Sequence, residues 1–181
     1  MYKQFLFYIL LFLICTSVIA QKGINNISIR GDVAPPFFQQ DQGYGISVKG
    51  SYGMGKFAHL TFSVGVAKFN SNNSLETEKI TTRLIPFLLG YKQHFNSFFI
   101  EPTIGIGELG GKIFENGYYA KPSIAVLFGG INAGYTFQQF TIGIGYLNSK
   151  GIENASAGIW YNKNFNYTSI FLSYDIFRKL K

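Results

Sequence analysis

The groups best suited to nucleophilic, metal or acid–base work are sparse here: two histidines, one cysteine and nine carboxylates in 181 residues. His59 stands just before Thr61 in the order His-Leu-Thr. A base and a hydroxyl are what acyl transfer requires, provided they come within hydrogen-bond reach and a third group orients the base. Gly105-Ile106-Gly107-Glu108-Leu109-Gly110 has the glycine spacing of a dinucleotide-binding turn, a motif that works only where it follows a strand and opens a helix. His94 is distant in sequence from His59, and two separated histidines without cysteine partners make no convincing zinc site. Five further charges, Arg30, Asp32, Lys49, Glu101 and Asp175, stand among small or apolar neighbours. What they do depends on the elements that carry them.

Met1 to Ala20 opens with Lys3, runs almost purely apolar from Phe5 to Ile14, breaks at Thr16 and Ser17, and ends on Val18-Ile19-Ala20 before the polar Gln21 and Lys22. This is the pattern of a signal peptide, with cleavage expected after Ala20. An uncleaved spanning helix needs about 20 apolar residues. Cys15 follows Leu13 and Ile14, whereas a lipoprotein signal carries small residues before its cysteine. The mature chain, residues 21–181, is then cysteine-free, which excludes a disulfide framework and a thiolate metal site. One domain is expected for that length.

With 18% aromatic residues, 14% charged residues and 21 glycines, the chain departs from soluble-domain composition in a direction that suits a lipid environment. No apolar run after Ala20 has the length of a spanning helix, so a membrane protein of this sequence must cross as strands. Alternation, the period of a strand with unlike surroundings on its two faces, dominates from Asn26 onward. Leu60, Phe62, Val64 and Val66 oppose His59, Thr61, Ser63 and Gly65; Phe140, Ile142, Ile144 and Tyr146 oppose Thr141, Gly143 and Gly145. Eight such segments follow one another. Two, near Thr82–Lys92 and Ile124–Tyr135, are apolar on both faces; Ile85, Phe87, Leu89 and Tyr91 in the first, and Leu127, Ile131 and Tyr135 in the second, are placed outward.

The connections near Pro35–Gly43, Asn70–Lys79, Lys112–Lys121 and Asn148–Asn164 are long, and those near Gly53–Lys56, His94–Ser97 and Thr136–Gln139 are short. Regular alternation of long and short predicts an eight-stranded antiparallel up-and-down transmembrane β-barrel with short periplasmic turns, long outside loops and both mature termini periplasmic. The interior of an eight-stranded barrel is just wide enough for side chains to fill. The glycine and serine face suits that space, and the bulky face would overfill it. Tyr52, Phe57, Tyr91, Phe98, Tyr135, Phe140, Tyr146 and Tyr174 fall near strand ends on the outward face, as interfacial girdles require.

Leu84-Ile85-Pro86-Phe87-Leu88-Leu89-Gly90-Tyr91-Lys92, a short turn, and Phe98-Phe99-Ile100-Glu101-Pro102-Thr103-Ile104-Gly105-Ile106-Gly107 resemble the outer membrane protein beta-barrel domain family. The resemblance covers roughly Gln21 to Phe177. It implies a small barrel of the Gram-negative outer membrane, mostly without an assigned activity in that family. It also implies an assembly signal in an aromatic of the last strand. Tyr174 and Phe177 suit that role, but Arg178-Lys179-Leu180-Lys181 follows, a departure from the family pattern.

On this frame the chemistry can be sorted. The glycines of the dinucleotide-like motif alternate along a strand, and His59 faces the lumen near the periplasmic end, away from outer-leaflet lipid; no catalytic site, cofactor or metal is expected. Buried charges must be paired to be tolerated, so Arg30, Asp32 and Lys49 are expected in a lumen network with Glu101 and Asp175 towards the periplasmic end. Lys22, Lys56, Lys92, Arg178, Lys179 and Lys181 are expected as a basic periplasmic rim. The outside lysines and Arg83 could meet lipopolysaccharide phosphates, and Trp160 with Tyr161 in the longest loop could contact an envelope protein. Nucleic acid is not an expected partner, and a monomer is. The expected function is structural, adhesive or envelope-interacting, with a narrow channel or small-ligand transporter as one alternative and a lipid-modifying enzyme resting on His59 as another.

Overall fold

A computed structural model describes residues 24–35, 41–71, 81–115, 118–120, 123–151 and 165–180. The expected leader, residues 1–20, and the expected contact residues Trp160 and Tyr161 lie outside them. The strands are β1 (Ile24–Ala34), β2 (Asp41–Gly53), β3 (Ala58–Ser71), β4 (Thr81–Phe95), β5 (Phe98–Glu115), β6 (Tyr118–Ala120), β7 (Ser123–Phe137), β8 (Phe140–Gly151) and β9 (Phe165–Leu180). All pairings are antiparallel, and β1 pairs with both β2 and β9, closing an eight-stranded barrel outside which β6 pairs only with the end of β5. Closure leaves the barrel wall no unpaired edge, the condition for spanning hydrocarbon with strands.

Two connections differ from the sequence reading. The expected loop Lys112–Lys121 is largely strand: β5 continues to Glu115, and Ile113, Phe114 and Glu115 pair with Ala120, Tyr119 and Tyr118. Isoleucine, phenylalanine and tyrosine favour the pleated backbone, so the hairpin runs on past the barrel wall. His94 belongs to β4, not to a turn. The turn is only Asn96-Ser97, with Asn96 at φ 59°, a left-handed conformation that asparagine tolerates better than most residues.

Outward side chains are the large apolar ones, including Ile46, Phe62, Leu89, Ile104, Ile142 and Leu172. The two ambiguous strands have the expected phase. Phe87 and Leu89 of β4, and Leu127, Ile131 and Tyr135 of β7, are exposed, while Leu84, Val126 and Phe128 are buried. Their ambiguity has a physical origin. At the long-loop end the lumen is itself apolar, packed with Phe69, Leu84, Val126, Phe128 and Leu147, against which Leu88, Leu109, Phe165 and Tyr167 lie. The Phe69 ring centroid is 4.9 Å from those of both Phe165 and Tyr167. β4 and β7 contribute to this plug and to the lipid-facing surface at once, so neither face is polar.

The seam between β1 and β9 contains a register shift: Ile27 pairs with Phe177 and Ser28 with Asp175. Ile176 is the extra residue, and Ile176 and Phe177 are both exposed.

Glycine is required where strands approach closely. A Cβ on Gly105 would lie 1.9 Å from the carbonyl oxygen of Phe87 on β4, whereas one on Gly129 would meet nothing within 4 Å. Gly105→Ala should therefore destabilise the folded barrel by about 1–3 kcal/mol, the usual cost of overpacking, and Gly129→Ala should stay within about 0.5 kcal/mol of the parent. Denaturant unfolding in lipid vesicles measures both.

Candidate functional site: the lumen charge layer

Below the apolar plug, three strands, β1, β2 and β5, project charges into one layer. Arg30 and Asp32 stand one residue apart on β1 and so share a face. Arg30 Nε donates to both carboxylate oxygens of Asp32 at 3.0 Å, and Ser169 Oγ of β9 donates to Asp32 Oδ1 at 3.0 Å. The guanidinium carbon lies 3.7 Å from the centroid of the Phe171 ring. Across the lumen, Lys49 of β2 is ion-paired with Glu101 of β5, and Thr61 Oγ1 of β3 donates to Glu101 Oε1 at 2.6 Å. Glu101 is wholly buried, so these partners replace water for it.

Asn132 of β7 joins the two pairs. Its Oδ1 accepts from Arg30 Nη1 at 3.0 Å, and its Nδ2 donates to Glu101 Oε2 at 3.4 Å. Arg30, Asp32, Lys49 and Glu101 thus meet in one network. Asp175 stands apart, lining a small void nearer the short turns with Lys92 and Phe99, and its backbone N–H donates to Gln139 O at 2.9 Å. Sequence reasoning missed Asn132, because a lone asparagine carries no charge signal, and it misplaced Lys92. That residue shares the inward face of β4 with Gly90, and its Nζ lies 4.0 Å from the Phe99 ring centroid. Alternation along β4 makes it a lumen residue, so it is not part of the basic rim; position along the chain alone had suggested the rim.

The lumen charges therefore balance among the described residues: Arg30, Lys49 and Lys92 against Asp32, Glu101 and Asp175. Voids of about 50 and 20 Å³ flank the charge layer, space for at most a few waters. At the short-turn end the lumen opens into a mouth of about 520 Å³ lined by Lys56, His59, Lys92, His94 and Asp175.

The other candidate motifs resolve differently. Thr61 directs its hydroxyl to Glu101. Gly105 to Gly110 runs along β5 between two strands, with no helix following. His59 and His94, distant in sequence, are neighbours in space, their ring centroids 5.2 Å apart. Among the described residues no group of three or more His, Cys, Asp or Glu is disposed to hold a metal ion.

On the outer surface at the long-loop end, Lys68 and Arg83 are direct cross-strand partners, and Tyr44 is the partner of Lys68 on its other side. All three are exposed and follow the lipid-facing parity of their strands. Arg83 Nη2 also pairs with Glu108 at 2.8 Å.

No protein-family model matches the sequence, and no curated protein matches it. Several solved structures match the fold. Ail, the attachment invasion locus protein of Yersinia pestis, solved in complex with the heparin analogue sucrose octasulfate, aligns with TM-score 0.61 and 15% identity over 88% of this chain and 100% of that one. Neisserial surface protein A aligns with TM-score 0.58 and 9% identity over 84% and 96% of the two chains. The outer membrane protein OprG from Pseudomonas aeruginosa aligns with TM-score 0.52 and 11% identity over 90% and 98%. With its closed antiparallel wall and outward apolar surface, the chain has the fold of the small eight-stranded outer-membrane β-barrels.

Proposed function

We propose that this chain is a closed, non-enzymatic barrel of the outer membrane that holds four connections, one of them the extended β5–β6 hairpin, at the cell surface, where they act in adhesion or in contacts with other envelope components. The observation that carries this reading is the content of the lumen. An ionic layer and an aromatic plug occupy the space that a solute would need, and the same filling speaks against a channel or transporter. Ail, named for attachment and invasion, shares the architecture and lends the adhesive reading a precedent. The leader Met1–Ala20 supports export, and the long-short pattern of connections supports an orientation with the short turns in the periplasm. A hydroxyl–imidazole mechanism is disfavoured because Thr61 is committed to Glu101 and His59 faces the mouth at the short-turn end.

Lipid is the proposed partner of the outer wall. Like charges placed directly opposite each other on neighbouring strands repel, and Lys68 beside Arg83 is such a pair, only partly offset by Glu108. A phosphate of lipopolysaccharide at the outer leaflet would relieve that repulsion. Trp160 and Tyr161 are the proposed protein-contacting residues of the longest loop.

Pure protein in planar bilayers should show no large, stable conductance step; a persistent open pore would overturn the closed-lumen reading. Glu101→Ala, which leaves Lys49 without its carboxylate, should cost about 3–5 kcal/mol of unfolding free energy, with Glu101→Gln less severe. Binding of purified lipopolysaccharide to the refolded barrel should weaken several-fold in Lys68→Ala/Arg83→Ala and be unaffected by the distant Lys150→Ala; equal loss in both variants would remove the site. Excising residues 152–164 should lower the adherence of cells displaying the barrel while heat-modifiable gel mobility stays normal, and unchanged adherence would take that loop out of the function.

A further inference from the structure

The mouth at the short-turn end contains a pair that neither the charge layer nor the surface loops use. His59 comes from β3 and His94 from β4, and Ala58 pairs with Gln93 and His59 with Lys92, which makes the two histidines diagonal neighbours on the lumen face. Their ring centroids are 5.2 Å apart, with the rings inclined at 66°, and both line the 520 Å³ opening.

That separation has a chemical meaning. An imidazole nitrogen binds a divalent transition metal at about 2.0–2.1 Å, which sets each ring centroid roughly 3.2 Å from the ion, and two rings held at a tetrahedral angle then lie about 5 Å apart. The pair already has this spacing. The terminal torsion of histidine is broad, so each ring can turn about it toward the other, His94 beside the Phe99 ring, 5.8 Å between centroids. The charge around the pair is mixed. Lys92, the cross-strand partner of His59, rests its ammonium on the Phe99 ring, Lys56 lies over the Phe57 ring, and Asp175 lines the same opening as a carboxylate.

We propose that His59 and His94 form a two-imidazole site for a divalent ion of the zinc and copper class, with water in the remaining positions. No third histidine or carboxylate joins them among the described residues, so the coordination stays open and the ion exchangeable. This is a site for capturing or passing on an ion at the turn-side mouth, and it holds no part of the fold together. It is independent of what the surface loops bind.

The chain makes the test unusually clean, because His59 and His94 are its only histidines and the mature form is expected to lack cysteine. Untagged mature protein refolded in detergent should bind one Cu²⁺ per chain, with an electron paramagnetic resonance spectrum showing superhyperfine coupling to two imidazole nitrogens. His59→Ala and His94→Ala should each reduce this to one nitrogen. Changes outside the coordination sphere alone weaken metal binding about 10–100-fold, so loss of a ligand should weaken Zn²⁺ by at least as much in calorimetry. Heat-modifiable mobility verifies that each variant is folded, and the parent spectrum decides the matter even where a variant is not. A parent spectrum without paired nitrogens, an unchanged spectrum in either variant, or one ion per two chains would overturn the proposal.

Discussion

Backbone hydrogen bonding in a medium without water governs this molecule. Each N–H and C=O placed in hydrocarbon must find a partner within the protein, and the chain meets that demand by pairing β1 with β9. Closure at eight strands then sets the radius, and the radius sets what the interior can hold. Glycines, serines and threonines line the middle of the lumen because a wall that curves so tightly leaves little room, and at Gly105 the neighbouring carbonyl leaves none. The bulky aliphatic residues face outward for the same reason.

The lumen is layered. Aromatic and aliphatic side chains pack the long-loop end, an ionic layer occupies the middle, and an open mouth with two histidines forms the short-turn end. The ionic layer is tolerable because it is neutral and cross-linked: Asn132, an uncharged residue on the far wall, accepts from one pair and donates to the other. Buried ion pairs add little net stability compared with an apolar filling of the same volume, yet they are costly to break singly. Such a layer ties strands far apart in sequence, such as β1 and β7, into a single arrangement.

Much of this was legible in the sequence, because one physical rule, alternation between lipid and a narrow interior, acts on nearly every strand. Strands with glycine or hydroxyl residues on one side, such as β3 and β8, could be phased by inspection. β4 and β7 were obscure because the plug makes their inner face apolar as well. Nearness to a turn points Lys92 to the rim, whereas its parity with Gly90 on β4 carries it into the lumen. The network partners were harder still. Asn132 has no distinguishing pattern, Thr61 stands out only as a neighbour of His59 and not as a partner of Glu101, and the meeting of His59 with His94 depends on a cross-strand register that only pairing reveals.

The extra residue in the β1–β9 seam reaches beyond local geometry. Were β9 to keep strict alternation past Tyr174, Ile176 would face hydrocarbon and Phe177 would turn into the mouth, beside the histidines and Lys92. Inserting Ile176 without a partner rotates the strand by one step, so that Phe177 joins Ile27 on the outer wall. A single unpaired residue thereby converts an obstruction of the vestibule into a greasy clasp over the line where the first and last strands meet.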